Sequence, residues 1–218
     1  MVPDAGDGTA TEFHFDTSTP CGFTWVADEP MQRASHAFAT DGSYWLVDPL
    51  VWEPALERAA GMGRPAGVIQ LLERHNRDCA ELAARLDVPH IRMPTAADGL
   101  PFETIRLVNR ERWREVALWW PEQSVLVVPE CVGTTPMYTL GSGAAGVQPL
   151  VRFKRPHRLD RLRFVEPDHL LVGHGGAVQQ NAAEALHRAL DRARRDLPRM
   201  IVKMPALIAA ARRGDRSI

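Results

Sequence analysis

Hydrophobic and polar positions alternate along much of this chain, and the alternation changes period at identifiable breaks. The segment FHFDTSTPCGFTWVAD from Phe13 alternates and breaks at Pro20 and Gly22, which predicts strands. SHAFATDGSYWLVD, Ser35 to Asp48, places two short apolar strands around Asp41-Gly42, a two-residue hairpin signal, and Pro49 closes the second. Trp52 to Ala60 has helical spacing and ends at Gly61. GVIQLL, Gly67 to Leu72, reads as a buried strand, and the polar loop ERHNRD follows it. Cys79 to Leu86 is a helix with Leu82, Ala83 and Leu86 on one face, and VPHIRMP returns as a strand. Strand, loop, helix and strand at this length form a βαβ-like unit, which needs a sheet covered by helices.

The middle of the chain is β in pattern. FETIRLV alternates, and Arg114 to Trp120 and Val125 to Pro129 flank PEQS as a hairpin. Alternation puts Trp119 and Trp120 on opposite faces. Thr134 to Val147, rich in Gly, Thr and Ser, reads as a loop, and Arg158 to Phe164 as a short helix. Leu170 to Val172 is a buried strand running into Gly173-His174-Gly175-Gly176. Asn181 to Asp196 is a helix stopped by Pro198, and a last helix covers Pro205 to Arg212. With no repeat, linker or low-complexity block, residues 1–218 are expected to form one domain, with 1–10 poorly ordered.

Composition narrows the partners. The formal net charge is -1, so no global field draws the chain to nucleic acid or membrane. No apolar run is long enough to span a bilayer, and the acidic N-terminus lacks a signal-peptide pattern. Three scattered cysteines, Cys21, Cys79 and Cys131, do not make a disulfide framework and fit a reducing cytoplasm. Arg152, Lys154, Arg155, Arg158, Arg161 and Arg163 form a basic run near His157, read as a solvated face with phosphate or nucleic-acid binding as the alternative. Met200 to Ala211 is apolar enough to pack on the domain or on a second copy in a homodimer.

Loops at strand ends are where α/β proteins place chemistry, and two stand out. One is Glu73 to Cys79, where Asp78 also reads as a helix cap; the other is the glycine-flanked His174. In order and spacing, four segments resemble the metallo-β-lactamase fold superfamily across nearly the whole length. SHAFATDGSYWLVDP resembles its opening hairpin with an aspartate, here Asp48. GVIQLLERHNRDCAELAARLDVP resembles the strand, metal loop and helix that carry its H-x-H-x-D-H signature. VALWWPEQSVLVVPE resembles the hairpin ending in a metal-bridging aspartate, and LLVGHGGAVQQNAAEALHRAL its final G-H-G turn and helix.

The resemblance implies an α/β, four-layer αββα sandwich of two mixed β-sheets flanked by helices. It also implies a degenerate site. Arg74 and Asn76 fall where the first two histidines belong, and Glu111 is the nearest match to the third first-metal position. Asp78, Cys79, Glu130 and His174 are the remnant second-metal set, with Asp48 and His75 around it; His75 falls one residue out of register. An arginine has no lone pair for a metal, so Arg74 is expected to pair with Glu111 or Glu130. Thiolate, imidazole and carboxylates together suit zinc or another divalent ion. Three readings follow. The fold persists without catalytic metal, in a binding or regulatory role. One divalent metal serves a hydrolase acting on a small molecule. Or the polar residues are ordinary caps and surface charges.

Overall fold

The structure, a computed structural model, describes residues 12–154 and 159–212. The expectations for residues 1–10 and for Arg155, His157 and Arg158 lie outside the described residues. Twelve strands are described: β1 Phe13–Thr19, β2 Gly22–Ala27, β3 Ala34–Thr40, β4 Ser43–Val47, β5 Arg64–Gln70, β6 His90–Arg92, β7 Glu103–Arg110, β8 Trp113–Trp120, β9 Val125–Val128, β10 Val132–Gly133, β11 Gly146–Val147 and β12 His169–Val172. The α-helices are α1 Glu53–Ala60, α2 Cys79–Leu86, α3 Pro136–Thr139, α4 Pro149–Lys154, α5 Ala182–Arg195 and α6 Leu197–Arg212. None is long and apolar enough to cross a membrane among the described residues.

Two mixed sheets face each other. One runs β1-β2-β3-β4-β5-β6, antiparallel through β4 and parallel from β4 to β6. The other runs β12-β9-β8-β7, with only β12 and β9 parallel. Asp41 and Gly42 both take positive φ, 49° and 73°, and this lets β3 and β4 pair through two residues. Three apolar clusters separate four layers. Leu46 and Val68 pack with Ala55 and Leu56 of α1 and Cys79 and Leu82 of α2 on one outer face. Phe38, Ile69, Leu118, Val127 and Leu171 fill the space between the sheets. Leu126, Leu170 and Ala117 pack under Leu186 and Leu190 of α5 on the other outer face. This is the expected αββα order. Trp119 joins the outer cluster and Trp120 the inner one, as their alternation requires.

Three expectations change. Residues 134–147 are not a plain loop, because β10 and β11 pair across them and enclose α3. Pro198 does not end a helical region but sits in the first turn of α6, where a missing N–H removes no helical bond. α6 also runs through Pro205 rather than starting there.

The sheets are stitched together at one end. The chain leaving β5 donates from Glu73 N to Arg114 O (3.0 Å) and accepts at Leu71 O from Val116 N (3.0 Å) on β8. Where β12 ends, Ala34 N donates to Gly173 O (2.9 Å) and Gly175 N to Gln32 O (2.8 Å). The loops after β5, β9 and β12 therefore meet at this end.

Candidate functional site

Those loops carry His75, Glu130 and His174, all three buried. His75 Nε2 lies 3.4 Å and His174 Nε2 3.1 Å from the same carboxylate oxygen, Glu130 Oε2. The other oxygen, Oε1, accepts from Arg74 Nη2 (3.1 Å) and Gln148 Nε2 (3.3 Å). Arg74 is about one-third exposed and lies over the Trp113 ring at 4.7 Å. Its pairing with Glu130, which the reading without catalytic metal expects, is present.

Each group is aimed by its surroundings. Asp48 accepts Leu71 N at Oδ1 (3.0 Å) and faces His75 Nδ1 with Oδ2 (3.2 Å). His174 Nδ1 faces Met31 O at 3.1 Å, and Tyr138 stacks on the ring at 5.9 Å. The glycines around His174 are required by close approach. A Cβ at Gly173 would meet Pro129 O at 2.0 Å, and Gly175 has φ 101°. Glu130 is set by Glu115, a fully buried carboxylate whose Oε1 accepts Glu130 N (3.1 Å) and Cys131 N (2.7 Å). Glu115 Oε2 accepts the Trp113 indole at 2.9 Å, so one side chain fixes both Glu130 and the ring under Arg74.

The four residues expected to form the remnant set do not all meet. Glu130 and His174 do, joined by His75, which was expected to project elsewhere. Asp78 Oδ2 instead accepts Val51 N at 2.7 Å, beside α1. Cys79 is fully buried in the apolar cluster under α1 and α2, its Sγ 3.8 Å from His75 O. The cause is local. Cys79 opens α2 and shares a face with Leu82 and Ala83 at i+3 and i+4, which is the core face. Arg77, in the loop between His75 and Cys79, takes φ 39°, a left-handed conformation. Asn76 and Glu111 are exposed, Glu111 in the β7–β8 turn, away from Arg74's described partners. The spacing of Cys79 to Leu82 and Ala83 was a readable signal for its burial. No residue pattern signalled Glu115 or Arg77. The Arg77 guanidinium donates to Ala34 O, Asp48 O (2.8 Å) and Gly173 O (3.0 Å).

Burial alone would raise the Glu130 carboxyl, but hydrogen bonds from His174 and His75 hold it well below the usual range. For His75, burial and Arg77 push the pKa down, yet the bonds to Asp48 and Glu130 outweigh them and leave it raised. Burial pushes the Cys79 thiol well up, which disfavours the thiolate a metal needs.

The ring nitrogens decide what the cluster can hold. Met31 O only accepts, so His174 Nδ1 carries a hydrogen; Asp48 imposes the same on His75 Nδ1. Both Nε2 atoms then point at a carboxylate oxygen that also lacks a hydrogen. Hydrogen on the facing atoms, or one divalent cation between them, would satisfy this contact. A tetrahedral ion with bonds of 2.0–2.1 Å spaces its ligands roughly 3.3 Å apart. The observed 3.1 and 3.4 Å match that spacing, and the three ligand atoms all lie within 4.8 Å of one another. Outer nitrogens held by a carboxylate and a carbonyl are also how metal-binding histidines are oriented. The residues fit a single divalent ion.

No protein-family model matches the chain, and no curated protein does. Solved structures do match. The metallo-β-lactamase DIM-1 exposed to ceftazidime aligns over 85% of this chain and 100% of its own, at 13% identity and TM-score 0.57. A metallo-β-lactamase from Erythrobacter litoralis covers 85% of this chain and 93% of its own, at 13% identity and TM-score 0.56. FIM-1 from Pseudomonas aeruginosa, in its mono-zinc form, covers 86% and 98%, at 12% identity and TM-score 0.58. With two facing mixed sheets, flanking helices and loops converging at one end, this chain has the metallo-β-lactamase fold.

Proposed function

We propose that the protein is a metal-dependent hydrolase of a small molecule, reduced to a single divalent ion held by His75, Glu130 and His174, with zinc the best fit. The observation that carries this reading is the convergence of two imidazole Nε2 atoms on Glu130 Oε2 while both Nδ1 atoms are committed to acceptors. Two imidazoles and a carboxylate leave a fourth position open, the pattern of catalytic rather than structural zinc. When bound, the ion would supply Lewis acidity and lower the pKa of a water.

The chain's own residues define the rest. Asp48 and Met31 O keep the imidazoles in one tautomer. Glu115 fixes the backbone of Glu130. Arg74 takes the place of the first metal: it neutralises Glu130 Oε1 and, being about one-third exposed, offers a cation to an oxygen of the substrate.

A second reading has one observation in its favour. Arg74 and Gln148 already satisfy Oε1, so two Nε2 protons would complete the cluster without metal, and the domain would bind rather than hydrolyse. Elemental analysis of protein purified from zinc-replete medium separates the two. The hydrolase reading expects about one metal per chain, lost in His174→Ala together with any hydrolysis of chromogenic ester, thioester and phosphodiester probes. Metal-free wild-type protein would sink it and leave the binding reading standing.

A further inference from the structure

A second concave site lies outside the His75–Glu130–His174 cluster. A cavity of 220 Å³ runs between α5 and the glycine-rich loop that follows α3. Small side chains on α5, Ala185 and Ala189, line it, and Arg188 and Arg192 follow one helical turn apart. Gly141 and Gly143, at φ 68° and 82°, curve the loop over it. Arg152, only 3% exposed, lines it as well.

Among the described residues, the charges around this cavity do not balance. Asp196 accepts from both Arg152 Nη1 (3.5 Å) and Arg192 Nη2 (3.3 Å), and Glu184 accepts from Arg188 at 2.5 Å. Arg199 from α6, just outside the lining, adds a fourth guanidinium by reaching Ser142, which does line it. Arg192 Nη2 (3.2 Å) and Arg199 Nη1 (2.9 Å) both donate to one neutral acceptor, the Ser142 hydroxyl. Lys203 Nζ donates to the neighbouring Leu140 O at 3.0 Å. Two guanidiniums converging on a hydroxyl repel each other, and the hydroxyl returns no charge. An oxyanion in that position would take charge-assisted bonds from both, in the planar fork geometry that arginine offers.

We propose that this groove binds a small molecule through a phosphate group, with Arg192 and Arg199 gripping the phosphate beside Ser142 and Arg188 at its edge. The volume suits a phosphate with a few further heavy atoms rather than a drug-sized ligand. The basic run of residues 152–163 has two described arginines already committed to partners. Its Arg152 is buried against Asp196, Val147 O and Tyr138 O, and its Arg163 is paired with Asp160 and Asp191. The phosphate-binding face comes from α5 and α6 instead. The proposal does not rest on metal at the other site.

Calorimetric titration of the full chain, with chelator present, tests it, using inorganic phosphate and glycerol 3-phosphate as probes. Saturable binding at one site is expected, weakened roughly tenfold or more in Arg192→Gln/Arg199→Gln and unchanged in His174→Ala. Tighter binding of glycerol 3-phosphate identifies a phosphorylated small molecule, and tighter binding of inorganic phosphate identifies the free ion. Glu184→Gln releases Arg188 and should tighten binding a few-fold, and it decides the matter if circular dichroism shows the double variant unfolded. No saturation up to about 10 mM, equal affinity in the double variant, loss in His174→Ala or an unchanged Glu184→Gln would each overturn the proposal.

Discussion

His36 makes a sharp prediction about acid stability. It lies in β3, 1% exposed, between sheets that are joined close by through Arg77. Its Nδ1 is 2.9 Å from Thr24 Oγ1, a hydroxyl that can pair with either form of the ring, and Asp48 and a backbone bond at Val172 favour the imidazolium only in part. Burial, then the Arg77 charge, pushes its pKa from 6.5 to about 3. In the unfolded chain the imidazole takes a proton near pH 6.5, whereas the folded protein resists to about pH 3. Stability from the neutral ring is therefore complete above pH 6.5 and is lost as pH falls through that window. At pH 4.5, two pH units below the unfolded value, the loss is about 3 kcal/mol, a large share of a typical domain's stability.

The assay is urea denaturation of wild type and His36→Asn at pH 7.5 and 4.5. Asparagine can still hydrogen-bond Thr24 but has no proton to gain in this range. The variant should be less stable at pH 7.5, yet lose about 3 kcal/mol less than wild type on acidification. Glu130, held below its usual value, also loses stability in acid, but does so in both proteins and drops out of the difference; Asp48, whose charge acts on His36, cancels only in part. Parallel pH curves for the two proteins would refute the assignment of His36 as a buried neutral ring.

Two more substitutions probe the loop that shapes the site. Arg77→Met removes the donors to Ala34 O, Asp48 O and Gly173 O and should cost about 3–5 kcal/mol in thermal or urea denaturation; a loss under about 1 kcal/mol would mean these carbonyls find other partners. Cys79→Ala should lower stability by about 1–2 kcal/mol and, on the single-ion reading, leave the metal content unchanged, because Cys79 packs with Leu82. Metal lost in that variant would return the thiol to the site.

The fold was legible where local chemistry and tertiary demand agree. Asp41-Gly42 specifies a two-residue turn by backbone freedom alone, and α2 and α5 bury the faces their apolar spacing marks. It was illegible where a segment's state depends on distant partners. β10 and β11 have two residues each and exist only because they pair across α3. Pro198 carries the same sequence signal whether it ends one helix or starts the next. The site divides in the same way. His174 followed from its place at the end of a recognisable strand, and Glu130 only from the resemblance of its hairpin. His75 faces Glu130 and Cys79 the apolar core, the reverse of what the six-residue register implied, and Arg77 between them is in a left-handed conformation that a register cannot show. Glu115 sits on a strand as an alternating polar residue; only the donors from Trp113, Glu130 and Cys131 reveal it as buried.

On the single-ion reading, the division of Glu130 explains why a second ion has no place. A bridging carboxylate serves two metals by giving one oxygen to each. Here Oε2 faces the two imidazoles, while Oε1 is taken by Arg74 and Gln148. A metal approaching Oε1 would have to displace a guanidinium stacked on Trp113, whose indole is bonded to Glu115, the same carboxylate that anchors the backbone of Glu130. Arg74 is therefore a built part of the site. It supplies fixed charge where a metal would supply a water of lowered pKa, so the two halves differ in kind: one electrostatic, the other able to exchange two protons for a divalent ion at constant charge.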